Sequence, residues 1–299
     1  MSVPTIRVPD RSEAPQIAAL LNANAVALHG EADISAAVVR EWFDNPDVTI
    51  RLVERDGRSA CYGDLALSVD ATRADLDIRE HPDYPGASEA MLEEFERLAS
   101  ERGAAAVRAF PANEEAVFAT VLQRRGYRPI RHSFRMLIRF SGELEAPRWP
   151  AGLSVRTMRE GEEPAVHAAQ EDAFRDHWGF EHQPYERWAR WNVETERFDR
   201  ALNFVADDGD TIAGLCLCSL HWSGYPTHGW VGILGVRPPW RRRGLGLALL
   251  LHGFAELRRR GCDRVGLGVD GENATCAVRL YERAGMSVER RNDLFEKTL

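Results

Sequence analysis

Apolar positions along the chain recur with two periods, and the order in which the two alternate is written twice. Near the start, Ile6-Arg7-Val8 reads as a short strand, and after Pro15 the residues Ile17, Leu20 and Leu21 fall at helical spacing. Near the middle, Leu153-Ser154-Val155-Arg156 reads as a strand again, followed by Pro164 and a second helical run. Arg7 to Arg156 and Pro15 to Pro164 are both separated by 149 residues. Further on, Leu92, Phe95 and Leu98 form a helical stripe closed by Gly103, where a glycine C-cap is expected. Leu247, Leu250, Leu251, Phe254 and Leu257 form its counterpart, closed by Gly261. Each helix leads into a strand-like segment, 104–110 or 262–269, then a short helix and a glycine, Gly126 or Gly285.

Strands alternating with helices of this length predict an α/β fold, with a mixed sheet and helices on its faces, present twice in tandem. At 299 residues the chain exceeds the size at which one core stops growing, which agrees with two domains. Gly142 to Gly152 holds two prolines and little apolar periodicity and reads as a linker, so the expected domains are 1–146 and 147–299.

With 46 acidic against 38 basic residues the formal charge is −8, so no overall basic field draws in nucleic acid or an anionic membrane surface. No run of 18 apolar residues occurs, and the opening residues lack a basic segment followed by an apolar one, so a cytoplasmic location is expected. Cys61, Cys216, Cys218, Cys262 and Cys276 form an odd set without a CxxC pair, which suits reduced thiols, and no metal site is expected. Cys216 and Cys218 read as a core-facing pair on one strand.

The candidate chemistry lies in the second half. Trp230 to Val236 is an apolar strand interrupted by Gly232 and Gly235, followed by a turn containing Arg241-Arg242-Arg243-Gly244-Leu245-Gly246 and then the amphipathic helix. A glycine-rich turn opening a helix is an anion site, because the first backbone N–H groups have no intrahelical partner and the helix dipole adds positive potential. The same six residues would also serve as a solvated basic turn. There is no glycine-lysine pair of an ATP-binding loop and no GxGxxG of a dinucleotide fold. Downstream, Ala277, Leu280, Tyr281 and Ala284 share a helical face, which points Tyr281 toward the sheet as either a core residue or a functional phenol. Asn273, just before that helix, has the chemistry of an N-cap.

These two stretches resemble the signatures of the GNAT superfamily of acyl-CoA N-acyltransferases. Arg241, Gly244 and Gly246 match its Arg/Gln-x-x-Gly-x-Gly/Ala pattern, and Asn273, Ala277, Leu280, Tyr281 and Gly285 match N-x-x-A-x-x-L-Y-x-x-x-G. The match covers about 153–299, and with the internal repeat the layout is similar to that of tandem GNAT enzymes of the mycothiol synthase type. The resemblance implies acetyl-CoA as cosubstrate. Leu234, Gly235 and Val236 would pair with its pantetheine arm, Arg241, Arg242, Arg243, Gly244, Leu245, Gly246 and Leu247 would hold its pyrophosphate, and Asn273 would bond the pantetheine. Tyr281 would protonate the departing thiolate.

At the matching place in the first half, Glu80 to Ala90 lacks the arginine cluster and the second glycine, and Leu122 stands opposite Tyr281. The N-terminal domain is therefore read as a degenerate repeat that shapes the acceptor cleft or covers a sheet face. Many members of the family carry a carboxylate on the strand before the phosphate loop to deprotonate the amine, and Trp230 to Arg237 contains none. His221, His228, Asp270 and Glu272 flank the strand ends and are candidates for that role. Phe174 to Trp191 is dense in aromatics and polar groups and reads either as the wall of an acceptor cleft for a small amine or as helix packing. The expected activity is acetyl transfer to a primary amine of a small molecule by direct attack. A peptide or protein Nα-acetyltransferase and a non-catalytic acyl-CoA-binding sensor are the alternatives, and the sequence leaves the oligomeric state open.

Overall fold

A computed structural model describes residues 5–220, 225, 227–273 and 277–299. In chain order its elements are β1 (Thr5–Arg7), α1 (Ala14–His29), α2 (Ala36–Asp44), β2 (Val48–Arg55), β3 (Arg58–Leu67) and β4 (Arg73–Glu80). Next come α3 (Ser88–Glu101), β5 (Ala106–Ala109), α4 (Ala116–Arg124) and β6 (Arg128–Arg139). The second series is β7 (Ser154–Thr157), α5 (Glu163–Phe174), α6 (Tyr185–Asn192), β8 (Asn203–Asp207), β9 (Ile212–Leu220) and β10 (His228–Val236). It closes with α7 (Leu245–Arg259), β11 (Arg264–Asp270), α8 (Ala277–Arg283) and β12 (Ser287–Thr298). The order of elements thus repeats as the periodicity predicts.

The chain forms two compact units, residues 1–133 with 291–299, and residues 134–290. In the first, β1 to β4 pair antiparallel in succession, β5 lies parallel to β4, and the end of β12 pairs antiparallel with β5. In the second, β7, β8, β9 and β10 are antiparallel, β11 is parallel to β10, and β6 is the next strand beyond β11. The pairing is mixed in both units.

The linear division at residue 146 does not describe these units, because the repeats exchange their last strands. Met136 and Ile138 of β6 lie in the core of the second unit with Leu250, Phe254 and Leu267. Phe295 of β12 lies in the core of the first unit with Leu92, Phe95 and Val107. The two exchanged residues are equivalent: Gly126 to Gly285 and Met136 to Phe295 are each separated by 159 positions. Either strand presents an apolar side chain at that place, so hydrophobic pattern alone cannot tell which unit receives which strand.

The segment 142–152 is not a bare tether. Leu144, Trp149 and Leu153 pack on the second core, Trp149 meets His252 edge to face at 5.8 Å, and Arg258 Nη1 donates to the Gly142 carbonyl at 2.5 Å. Cys216 and Cys218 are buried with their sulfurs 3.6 Å apart, and a Cβ at Gly253 of α7 would lie 3.2 Å from both, which fixes how closely α7 approaches β9. The described cysteines are all free. No described helix is long and apolar enough to cross a membrane.

Candidate active site

β10 and β11 are paired at His228–Arg264, Gly229–Val265 and Trp230–Gly266 and then part. Two features of the sequence cause the parting. The register of β10 against β9 shifts between Val231 and Ile233, leaving Gly232 as an exposed extra residue that bends the strand. At the last shared rung the indole of Trp230 lies over Gly266, where a Cβ would come within 2.7 Å of the ring. Beyond that point Ile233 to Val236 still pair with β9, so alternate backbone groups on the other side of β10 face a gap. On β11, Gly268 is exposed with nothing within 4 Å of where a Cβ would stand. The opening is a wedge with main-chain groups of β10 along one wall, Leu234, Gly235 and Val236 among them.

The wedge leads to the start of α7. Arg242 takes φ of 60° and Gly244 φ of 85°, and these left-handed residues turn the chain into the helix with no side chain capping its first turn. Apart from Ala248, whose N–H already bonds the Gly244 carbonyl, the opening N–H groups around Leu245, Gly246 and Leu247 are available to an anion. The guanidiniums of Arg242 and Arg243 are exposed beside them and form no ion pair with a described residue. Arg241 is used differently. Its Nη1 and Nη2 reach the Asp176 carboxylate at 2.5 and 2.8 Å, Nη2 also donates to the Ala173 carbonyl at 3.0 Å, and Nε donates to the Val236 carbonyl at 3.0 Å. Its side chain therefore ties the loop to the end of α5, and only its backbone is left to face a phosphate.

Arg237 repeats the device. Its Nε donates to Asp172 at 2.7 Å and its guanidinium stacks over Trp240. Asp172 and Asp176 are four apart, as are Arg237 and Arg241, so a pair of acids at the end of α5 meets a matching pair of bases. That equal spacing was present in the sequence, but nothing local connects partners 65 residues apart. The two glycines also differ. At Gly246 a Cβ would meet Leu280 at 3.2 Å and Val236 at 3.6 Å, whereas at Gly244 there is room but the backbone is left-handed. Packing demands the first and conformation the second.

In the first unit the equivalent helix, α3, has its anion site filled. The Glu80 carboxylate accepts the Ser88 N–H at 2.5 Å, standing where a phosphate would bind, and the Glu80 carbonyl is held by Asn24 Nδ2 at 3.0 Å. Leu122 is fully buried in the first core. An anion already supplied by the chain and an apolar residue in place of a phenol account for the degeneracy of this repeat.

Tyr281 projects from α8 into the second core with 8% of its surface exposed. Its hydroxyl makes no hydrogen bond to a described residue, and burial, with a smaller contribution from Cys216, pushes its pKa up to about 12. It is a neutral donor at any ordinary pH. Asn273 lies in the turn after β11, its N–H bonded to the Asp270 carbonyl at 3.2 Å, while 274–276, where the N-cap of α8 would be seen, lie outside the described residues.

The four candidate bases separate. His221 lies outside the described residues. His228 is buried at the closed end of the wedge, six residues before Leu234, about 20 Å along an extended strand. Asp270 stands at the open end of β11, its carboxylate accepting the Glu272 N–H at 3.1 Å, and Glu272 is exposed in that turn. Of the aromatic stretch, Trp188 is core, its indole N–H donating to Gln170 at 2.8 Å, while Trp178 and Trp191 are exposed. Phe174 lies on β10 itself, with Cε2 3.1 Å from where a Gly235 Cβ would stand. The stretch therefore serves both as packing and as surface beside the wedge.

The profile of the acetyltransferase (GNAT) family matches residues 164–286. A mycothiol acetyltransferase of Salinispora arenicola is 32% identical over 246 residues, 78% of this chain and 76% of that protein. The chain belongs to the GNAT acetyltransferase family. Its layout is that of the tandem GNAT enzymes of mycothiol synthase type, with a degenerate first repeat, and it is an acyltransferase. A mycothiol acetyltransferase of Thermobispora bispora is 37% identical over 163 residues, an alignment spanning 52% of this chain and about half, 53%, of that relative. Among solved structures, a GCN5-related N-acetyltransferase from Sphaerobacter thermophilus superposes with a TM-score of 0.81 at 33% identity, covering 99% of this GNAT chain and 95% of the other. A tandem GNAT protein from the clavulanic acid biosynthesis pathway shares the fold, with a TM-score of 0.78 over 99% of this chain and 98% of the other at 17% identity.

Proposed function

We propose that the second unit transfers an acetyl group from acetyl-CoA to a primary amine of a small molecule by direct attack. The observation that carries this is the continuity of the wedge between β10 and β11 with the uncapped start of α7. Acetyl-CoA fits that path by chemistry. The N–H groups at Gly244 to Leu247, with Arg242 and Arg243, would hold the pyrophosphate. The open rung of Leu234 to Val236 and the amide of Asn273 would hold the pantetheine. When bound, acetyl-CoA supplies the thioester carbon that the amine attacks. A backbone N–H of β10 then faces the carbonyl oxygen as charge develops on it.

Tyr281 serves the sulfur. A phenol at about 12 is a weaker acid than a thiol at about 8.5, so complete proton transfer to the thiolate would be uphill by about 5 kcal/mol. Its role in this reading is a hydrogen bond to the developing thiolate, with the final proton drawn from water. Direct attack, with no acyl-enzyme, agrees with the state of the thiols. Cys216 and burial raise Cys218, burial raises Cys61, and burial lifts Cys262 to about 11, so these are not thiolate nucleophiles.

The test is coenzyme A release against a panel of acceptors: the mycothiol precursor amine, amino-sugar thiols, aminoglycosides, polyamines, amino acids and N-terminal peptides. Turnover with one of the small amines is the expected result. Turnover with peptides alone turns the reading to Nα-acetylation, and tight acetyl-CoA binding without any turnover turns it to an acyl-CoA sensor.

A further inference from the structure

Trp230 to Arg237 offer no carboxylate, His228 sits at the closed end of the wedge, and Asp270 at the open end already accepts the Glu272 N–H, so the proton of the acceptor amine calls for a further acceptor. One imidazole stands at the open end. His177 lies in the turn after α5, where its N–H donates to the Phe174 carbonyl at 2.8 Å. Its ring meets the Phe174 ring edge to face, centroids 4.6 Å apart, and Phe174 in turn rests on Gly235. The imidazole is thus one aromatic ring away from the β10 residues that line the wedge. Asp270, at the end of β11, acts on it electrostatically, as do Asp176 in its own turn and Arg241 from the loop after β10. Its own contact is with Phe174, and its side chain makes no hydrogen bond to a described residue.

We infer that His177 is the general base that takes the proton of the attacking amine. This rests on the acetyl-transfer reading given above. In the step, the amine nitrogen forms a bond to the acetyl carbon as the carbon–sulfur bond breaks. The proton lost by nitrogen passes to the free ring nitrogen of His177 and then to water, and the sulfur leaves with its charge met by Tyr281. Half-burial holds the imidazole below its ordinary pKa, with Arg241 acting in the same sense and Asp176 and Asp270 opposing it. His177 is therefore neutral near pH 7 and able to accept a proton. The side chain also has a reason to stay in place, because Phe174 is fixed by its contact with Gly235 and the turn is pinned by the pairing of Asp176 with Arg241.

The test compares the wild-type enzyme with His177→Gln, using the best amine of the panel. The substitution is expected to lower kcat about 10²-fold or more, to leave the Kd for acetyl-CoA unchanged by calorimetry, and to abolish the acidic limb of the kcat/KM profile below pH 6.5. Added imidazole is expected to restore part of the rate in His177→Ala. Normal turnover and an unchanged acidic limb in His177→Gln overturn the assignment while leaving acetyl transfer intact. A wild-type protein that acetylates no amine overturns the acetyl-transfer reading first, and the base assignment with it.

Discussion

A phenol whose ionisation is raised to about 12 by burial stays neutral through the range in which the enzyme is assayed, so Tyr281 offers a hydrogen bond at every working pH. Tyr281→Phe removes that donor and keeps the ring. Turnover is expected to fall about 10²-fold at saturating substrates, with thermal stability nearly unchanged because the hydroxyl bonds no described residue. The folded pKa lies above the ordinary value of about 10, so this group's stabilising contribution is full below pH 10 and is lost as the pH rises toward 12. Urea melts between pH 9 and 12 should show wild type losing more stability than Tyr281→Phe. Gly246→Val pushes on Leu280 and so on the helix that carries Tyr281, and is expected to depress both acetyl-CoA affinity and kcat. Gly244→Val strains the turn alone and is expected to act on affinity. At this scale the charges and glycines of the loop were legible, but not the contacts of each. The sequence gives Arg241 a charge and a place in a loop, while its employment by Asp176 depends on a partner 65 residues away. His177 was hidden for the same reason, since its meaning comes from Gly235 through Phe174.

Helices α3 and α7 occupy equivalent places in the repeat, and their first turns differ, one being filled and the other open. Around the first, Glu80 supplies a carboxylate from within, whereas around the second, no side chain does. Calorimetry is therefore expected to give one acetyl-CoA per chain, and a second equal site would contradict this account of α3. Replacing Glu80 by Ala is expected to destabilise the first unit by about 0.5 to 2 kcal/mol, as loss of a helix cap does, and to leave kcat unaltered. Both helices were read correctly from their apolar stripes and closing glycines, because a strong period over fourteen or fifteen residues outweighs local ambiguity. The parting of β10 from β11 was not legible, although its causes, Gly232, Trp230 and Gly266, were all in view. A bulge and a ring laid over a glycine on the next strand acquire meaning only after the strands are paired.

At the scale of the whole molecule the repeat and the mixed α/β class were readable, and the division of the chain was not. A linker rich in proline and poor in apolar periodicity marks where one repeat ends in sequence, but β6 before it and β12 at the end of the second repeat are traded between units, and the traded strands carry matching patterns. A fragment of residues 147–299 lacks Met136 and Ile138 and is expected to aggregate or remain unfolded, with no cooperative thermal transition. Residues 291–299 complete a unit whose other members begin at the N-terminus, and Phe295 pairs with Ala109 across most of the chain. During synthesis, then, the part of the protein made first is finished last. Until residues 291–299 emerge from the ribosome, one edge of β5 is bare, an invitation to the wrong strand in a crowded cell. A stop codon just before residue 291 would spare every residue that lines the wedge between β10 and β11 and still unmake the first unit.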